Sequence, residues 1–349
     1  MNIKKEINQV RRSIMRAITR KVGSSNFDAN LEQNTKIEIK RVLICRPNQR
    51  LGNLLLITPL IQEITTTFPD CKIDLFVKGT LAPIVFENYK NINHIIELPK
   101  KPFKDIIKYI KVWLSLKKKH YDLVINIDKN SSSGRLSARF AKAKYKFFGD
   151  ENEEIQSKHK DYEHLAKYPV YDFRYHLVKL GYKENDKRAP LLNLKLSPEE
   201  IANGLTKLRE IVNNEKKTIC IFTFATGNKC YSESWWETFY ERLKKEYQNY
   251  NIIEILPIEN ISKIGFKAAT IYSKDVREMG SLMANVSVFI GADSGIMHLA
   301  SASLTPTVGL FSITNKNIYE PYENNSVAID TTKSGIDEWI KVIDKILIK

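Results

Sequence analysis

The residues best suited to chemistry cluster in one turn and at the start of the helix that follows it. The turn reads Gly291, Ala292, Asp293, Ser294 and Gly295. It comes directly after an apolar, β-branched run at 286–290, which predicts a buried parallel strand. The residues after it predict a helix, which places His298 one turn on and facing the same opening. A helix N-terminus offers free N–H groups and a partial positive charge, so the turn suits a phosphate. An ordinary strand–helix crossover with a glycine turn is the alternative.

Two further turns follow predicted strands and carry polar side chains, at 46–53 and at 225–229. Neither contains the P-loop pattern or the glycine pattern of dinucleotide-binding folds, which argues against those enzyme classes. The sequence has no D-x-D pair, so nothing indicates a metal that holds a diphosphate. Without a metal, the charge of a diphosphate would be met by Lys229, the helix start and hydroxyls such as Thr226. A plain surface lysine is the alternative for Lys229.

Predicted strands and helices alternate through two successive series. This alternation predicts parallel sheets, and hence an α/β protein with two Rossmann-like halves facing each other. We expect a helix at about 54–66, an irregular loop at 150–170, and a helix start capped by Ser197 with Glu200 three residues later. The expected domains are 1–36, a basic amphipathic helix and linker; 37–190, the N-terminal domain; 191–330, the C-terminal domain; and 331–349, a helix that packs back across the domain boundary.

The formal net charge of +15 favours an acidic partner: nucleic acid, anionic membrane or phosphorylated substrate. Residues 1–22 carry seven Lys or Arg against one acid, with apolar residues at helical spacing. This pattern predicts a helix on an anionic membrane surface, and a helix packed on the protein body is the alternative. The basic segment 100–119 is also apolar at helical spacing; a solvated surface helix is favoured over a second membrane-facing element. No aromatic–basic RNA motif is present, so we expect no nucleic acid partner.

Four cysteines without zinc or redox spacing indicate reduced structural thiols. No apolar run reaches the length of a transmembrane helix, and no apolar stretch of a signal peptide follows the basic N-terminus. We therefore expect a cytoplasmic protein that associates peripherally with the inner face of the cytoplasmic membrane.

Three segments resemble one enzyme family. They read RVLICRPNQRLGNLLLITPLIQEITTTFPDCKIDLFV from residue 41, DLVINIDKNSSSGRLSARFAKAKYKFFG from residue 122, and FIGADSGIMHLASASLTPTVGLF from residue 289. Together they are similar to the ADP-heptose:lipopolysaccharide heptosyltransferases, glycosyltransferase family nine. The resemblance implies a GT-B fold, with two Rossmann-like parallel-sheet domains facing across a cleft. It also implies an inverting, metal-independent transfer from a nucleotide diphosphate sugar, with no bound cofactor.

The resemblance also assigns the donor residues. In the family, the nucleotide-sugar site is lined by the counterparts of Asp293, Ser294, Gly295 and His298. Lys229 matches the lysine that contacts the diphosphate. The tryptophan–glycine pair that the family has after its second donor strand is missing. Glu259 stands in that segment and is a candidate for a ribose hydroxyl, with a plain surface acid as the alternative.

On the acceptor side, the resemblance implies a site near Arg46, Arg50 and Gly52. The family's first turn reads Gly-Asp, and that aspartate is its general base for the acceptor hydroxyl. Here the position is Asn53, and a neutral amide does not accept a proton at physiological pH. Asp128 is the alternative base, with capping of the next helix as its structural interpretation.

We therefore expect an inverting enzyme that moves a heptose, or a related sugar, from an ADP-sugar to a lipopolysaccharide-core or other anionic lipid-linked glycan. A catalytically impaired member that only binds a nucleotide sugar or glycan is the first alternative, because of Asn53. A nucleic-acid-binding protein is the second, from charge alone.

Overall fold

A computed structural model describes residues 22–23, 25, 37–100 and 105–348. The predicted N-terminal amphipathic helix lies, except for Val22, outside these residues, as does most of the predicted linker. Two of the linker residues are held by hydrogen bonds. Gly23 accepts from the Arg135 guanidinium through its carbonyl oxygen at 2.8 Å, and Ser25 Oγ accepts from the Phe148 N–H at 3.2 Å.

Contacts divide the chain into two compact units, each built from several segments. The first unit comprises the described residues up to Gln49, Pro59–Pro83, and the described residues of Tyr89–Pro190. The second comprises Arg50–Thr58, Ile84–Asn88, and the residues from Leu191 to Ile348. The turn at 46–53 is thus split: Arg46 lies in the first unit, whereas Arg50, Gly52 and Asn53 lie in the second.

The elements are numbered in chain order over the described residues. Up to residue 179 they are β1 Arg41–Arg46, α1 Leu51–Leu55, α2 Thr58–Thr67, β2 Lys72–Lys78, α3 Ala82–Val85, β3 Ile92–Leu98, α4 Ile106–Lys118, β4 His120–Asn126, α5 Ser132–Phe140, β5 Lys142–Phe147, α6 Glu153–Lys158 and α7 Tyr168–Lys179. After it they are α8 Pro198–Val212, β6 Thr218–Phe222, α9 Glu233–Glu246, β7 Asn251–Ile255, β8 Ala269–Ile271, α10 Val276–Met283, β9 Val288–Ala292, α11 Gly295–Ala302, β10 Thr307–Phe311, α12 Lys316–Tyr319, β11 Val327–Asp330 and α13 Ile336–Leu347.

The strands described in the first unit form a parallel sheet in the order β3-β2-β1-β4-β5. The chain runs outward from β1 through β3 and then crosses to β4 on the other side of β1. The strand order therefore reverses between β1 and β4, and open α/β sheets bind ligands at the carboxyl ends of strands at such a point. One face of this sheet packs its apolar side chains against α4 and α5.

The second unit repeats this plan with a parallel sheet ordered β11-β10-β9-β6-β7-β8 among the described strands. Here the order reverses between β6 and β9, which pair in register from Ile219 with Val288 to Phe222 with Gly291. The core of this unit includes Trp236 of α9 and the buried face of α13, Trp339, Ile340 and Ile343. The terminal helix thus packs within the second unit's core; its packing across the domain boundary stays a prediction.

The structure differs from the sequence prediction at several element boundaries. The helix predicted at 54–66 is two helices, because Pro59 lacks the N–H that would continue the ladder; Thr58 Oγ1 instead donates to the Leu55 carbonyl at 2.7 Å. The predicted loop at 150–170 contains α6, which Asn152 caps by accepting from two backbone N–H groups. The short strands β8 and β11 were not predicted. The capping box of Ser197 and Glu200 at the start of α8 is confirmed.

Candidate active site

An ion pair marks the carboxyl edge of the second sheet, where the strand order reverses. Lys229 lies in the short 3-10 helix that follows β6, and Asp293 comes directly after β9. Lys229 Nζ lies 3.0 Å from Asp293 Oδ2. The carboxylate side chain is only 6% exposed, whereas the lysine side chain is 30% exposed. The pair therefore presents a cation at this edge, with its counter-ion beneath it.

Asp293 is held by a second partner from the next strand. Thr314, which follows β10, donates through Oγ1 to Asp293 Oδ2 at 2.9 Å. Three neighbouring strand ends thus converge on one carboxylate, which fixes its position and that of the lysine it holds.

The helix α11 begins beside this ion pair. Ser294 is its N-cap and accepts through Oγ from the Met297 N–H at 3.2 Å. The N–H groups of Gly295 and Ile296, in the first turn, have no acceptor within the helix. The helix start therefore adds hydrogen-bond donors and a partial positive charge close to Lys229.

His298 lies buried in the first turns of α11, under the short helix α1. A Cβ added to Gly52 would come within 2.7 Å of His298 Cδ2, and one added to Gly295 within 3.3 Å of the Gly52 nitrogen. A side chain at Gly52 would force α1 and His298 apart, and one at Gly295 would be in tight contact with the backbone of Gly52. Burial lowers the pKa of His298 to about 4; the nearby carboxylate of Asp293 opposes this shift and the Lys229 ammonium adds to it. The imidazole is thus neutral at physiological pH.

A second ion pair occupies the corresponding edge of the first sheet. Arg46 ends β1, Asp128 follows β4, and Arg46 Nη1 lies 2.8 Å from Asp128 Oδ2. Here the exposure is reversed, because the arginine side chain is 5% exposed and the carboxylate 29%. The Asn130 N–H donates to Asp128 Oδ1 at 3.0 Å, and the Asn126 side chain donates to the Asp128 carbonyl oxygen at 3.0 Å. The first unit therefore presents a fixed carboxylate.

The family model for glycosyltransferase family 9 (heptosyltransferase) matches residues 109–338, which is more than half of the chain. The chain belongs to this family. Lipopolysaccharide heptosyltransferase 3 of Escherichia coli (strain K12) is 24% identical to this glycosyltransferase over 314 residues, which cover 79% of this chain and 84% of the relative.

Two solved structures of glycosyltransferases share the fold. One is a glycosyltransferase family 9 protein from Veillonella parvula DSM 2008, with a TM-score of 0.71, 15% identity, and coverage of 91% of this chain and 99% of that one. The other is the ADP-heptose LPS heptosyltransferase II of E. coli, with a TM-score of 0.65, 14% identity, and coverage of 89% and 99%. The predicted family and the GT-B class of two Rossmann-like parallel-sheet units are confirmed.

The structure brings together several donor residues predicted for this glycosyltransferase. Lys229, Asp293, Ser294, Gly295 and His298 lie at one edge of the second sheet, although His298 is buried. Outside this cluster, Thr226 is exposed at the start of the 3-10 helix, and Glu259 is exposed after β7. No contact in the structure assigns either of these two residues a role, so their donor contacts stay predictions.

The acceptor residues have a different distribution. Arg46 is buried beside Asp128, whereas Arg50 is exposed at the N-cap of α1 and Gly52 packs on α11. Asn53 is half-buried within α1. Asp128 does not cap the next helix: Ser131 does, by accepting from the Gly134 N–H.

Sequence reasoning missed Thr314 and both pairings. Thr314 follows a predicted strand of the same sheet as Asp293, and polar residues after neighbouring parallel strands meet at one edge. That signal was present in the sequence. Within the part of the chain that the structure describes, no group of three or more His, Cys, Asp or Glu side chains is placed to hold a metal ion.

Proposed function

We propose that this glycosyltransferase moves a heptose, or a related sugar, from ADP-heptose to a lipopolysaccharide-core or other lipid-linked glycan, with inversion and without a metal. The acceptor oxygen attacks the anomeric carbon, the bond from that carbon to the diphosphate oxygen breaks, and ADP leaves. The acceptor proton passes to a carboxylate. Family membership supports the reaction class, and the names of the E. coli relatives support heptose, ADP and lipopolysaccharide.

The observation that carries the proposal is the partly exposed ammonium of Lys229 beside the buried carboxylate of Asp293. The leaving diphosphate gains negative charge as its bond to the sugar breaks, and a positioned cation with helix N–H groups stabilises that charge. In this proposal Asp293 does not meet the phosphate directly, because its side chain is buried and its Oδ2 already accepts from Lys229 and Thr314. Its proposed role is to hold the lysine in place.

For the acceptor proton we propose Asp128. It is a carboxylate at the reversal point of the first sheet, partly exposed, and fixed by Arg46 and the Asn130 N–H. Asn53 cannot take a proton, so its proposed role is limited to hydrogen bonding. The amide at Asn53 also favours a second candidate, an impaired member of the family that binds the donor without turnover.

We further propose that the enzyme works peripherally at the inner face of the cytoplasmic membrane, where a lipid-linked acceptor would be met, and that it does not bind nucleic acid. Within the described residues, no helix combines the length and the apolar character needed to cross a membrane. Deletion of residues 1–22 should shift the protein from the membrane fraction toward the soluble fraction. An unchanged distribution would remove the N-terminal segment from this proposal.

The test is a transfer assay with ADP-heptose and a deacylated, heptose-deficient lipopolysaccharide core, with the product's anomeric configuration read by NMR. We expect an inverted product, full activity in EDTA, and competition by ADP. ADP binding without any transfer to a panel of lipid-linked glycans would favour the impaired member instead. Salt-sensitive binding of RNA would contradict the absence of a nucleic acid partner.

A further inference from the structure

The helix α4 of the first unit carries apolar side chains on two faces. One face, Tyr109, Val112, Trp113 and Leu116, packs on the core of its own unit. The other is exposed and is called here the α4 stripe: Ile106, Ile107, Ile110 and Leu114. Ile107 is 70% exposed, and the other three are each about half exposed. A surface helix normally turns polar residues to this side, so the stripe requires an explanation.

The spacing makes the stripe continuous along the helix. Ile106, Ile110 and Leu114 are separated by four residues each, and Ile107 precedes Ile110 by three. Residues three and four apart are neighbours on a helix surface, so these four side chains form one band about two turns long. Scattered exposed apolar residues are ordinary, but a contiguous band marks an interaction surface.

Lysines border this band. Lys108, Lys111 and Lys118 are exposed, and Lys117 lies with its Nζ 4.3 Å from the centroid of the Phe140 ring. No acidic residue occurs from Ile106 to Lys118. Apolar side chains flanked by lysines on one helix are the pattern of helices that lie in a lipid headgroup layer.

The charge selects among the possible occupants. A second copy of the chain would bring the same lysines against these, and residues 1–22 carry seven basic residues against one acid. Both would be repelled at the rim of the stripe, whereas an anionic surface would be attracted. We propose that the α4 stripe and its lysines dock the enzyme on an anionic lipid bilayer, with the isoleucines among the headgroups. This inference rests on the peripheral membrane association proposed above and names the surface that makes the contact; it depends on α4 and on none of the proposed donor residues.

The test is co-sedimentation of the full chain with vesicles of phosphatidylglycerol and phosphatidylcholine, compared with phosphatidylcholine alone. We expect binding only to the anionic vesicles, weakening as salt rises. Each lysine near an anionic surface contributes about 1 kcal/mol, so Lys108→Glu with Lys111→Glu should weaken binding by roughly 25-fold or more. Ile107→Ser with Ile110→Ser should weaken it by on the order of tenfold through lost apolar burial.

Matched controls are Lys245→Glu with Lys341→Glu, and Phe266→Ser with Ile348→Ser, which change exposed residues of the second unit. They should bind as the wild type does. Hydrogen exchange gives a readout without variants: the amides of 106–114 should slow on anionic vesicles, and those of α9 should not.

Two results would overturn the proposal. One is unchanged vesicle binding by both α4 variants with normal thermal melts. The other is a concentration-dependent dimer that the Ile107→Ser, Ile110→Ser variant abolishes, because a second copy would then cover the stripe. If the wild-type protein binds anionic vesicles as expected but transfers no sugar, that result would count against the proposed function and not against docking by α4.

Discussion

The two units each place one cation–carboxylate pair where the strand order reverses, but they expose opposite members of the pair. In the first unit the Arg46 side chain is buried and that of Asp128 is partly exposed to solvent. In the second unit the Asp293 side chain is buried and that of Lys229 is partly exposed. In each unit, the buried partner fixes the more exposed one, whose opposite charge offsets the free-energy cost of burying the first. One plan thus yields an anionic edge in one unit and a cationic edge in the other, suited to a proton acceptor and to a diphosphate.

The largest effect is expected from Asp128→Asn, which keeps the shape of the side chain and removes its ability to take a proton. Loss of a general base lowers kcat by roughly 10²- to 10⁴-fold. Steady-state transfer assays at saturating donor would measure this. Asp186→Asn, at an exposed ion pair of the same unit, should retain wild-type turnover. If Asp128→Asn retains near-normal kcat, the exposed carboxylate of the first unit is not the base.

Next in size is Lys229→Ala, which removes the exposed cation of the second unit. Loss of one charge-stabilising group lowers kcat/KM by roughly 10²- to 10³-fold. Lys229→Arg should recover part of the activity, because it restores the charge. Lys267→Ala, an exposed lysine of the same unit that pairs with Glu237, is the matched control. Equal losses in the two alanine variants would mean that Lys229 has no special role.

A smaller effect concerns the buried imidazole beside the second pair. An unfolded histidine has a pKa of about 6.5, whereas burial holds the pKa of His298 at about 4 in the folded chain. As the pH falls from about 6.5 to about 4, only the unfolded chain takes up this proton, which lowers the free energy of unfolding by up to about 3 kcal/mol. The His298→Gln variant has no imidazole at this position, so its free energy of unfolding should not show this decrease.

Urea unfolding at pH 7, 5.5 and 4.5 would test the histidine prediction. The free energy of unfolding of the wild type, relative to that of His298→Gln, should decrease as the pH falls. Burial also lowers the pKa of His176 to about 4, but His176 is present in both proteins, so its contribution cancels in the comparison. A difference that is the same at all three pH values would show that His298 does not titrate in this way.

The smallest effect is expected from Asn53→Asp, which restores the carboxylate that the family's pattern has in the first turn. If Asp128 is the base, kcat should stay within about threefold of the wild type, since one carboxylate already accepts the proton. Asn53→Ala should likewise retain most activity, measured in the same assay. A hundredfold gain in Asn53→Asp would instead identify the natural chain as impaired.

The sequence predicted the fold class and the turn that precedes α11 because both depend on local patterns. Asp293 follows a strand whose apolar run is visible, and Ser294 caps a helix as its residue type favours. Lys229 was named from its place in a polar turn after a predicted strand, and the resemblance then matched it to the family's diphosphate lysine. Its pairing with Asp293, 64 residues away, was not predicted, because that pairing depends on which strands become neighbours in the sheet.

The remaining differences have the same origin. Arg46 and Asp128 were assigned to different roles, and only the adjacency of β1 and β4 joins them. The burial of His298 depends on the close approach of Gly52 to α11, which no periodicity in either segment reveals. For α4, the sequence predicted a surface helix but did not show which of its apolar side chains pack on the core and which are exposed.

The most direct test of the contrast between the two pairs is calorimetric titration of ADP into the wild type, Lys229→Ala and Asp128→Asn. We expect Lys229→Ala to weaken ADP binding by on the order of tenfold or more, because a hydrogen bond to a charged phosphate is lost. Asp128→Asn should leave ADP affinity within about twofold. Equal affinities for all three proteins, or weaker binding only in Asp128→Asn, would contradict the assignment of the donor diphosphate to the second unit.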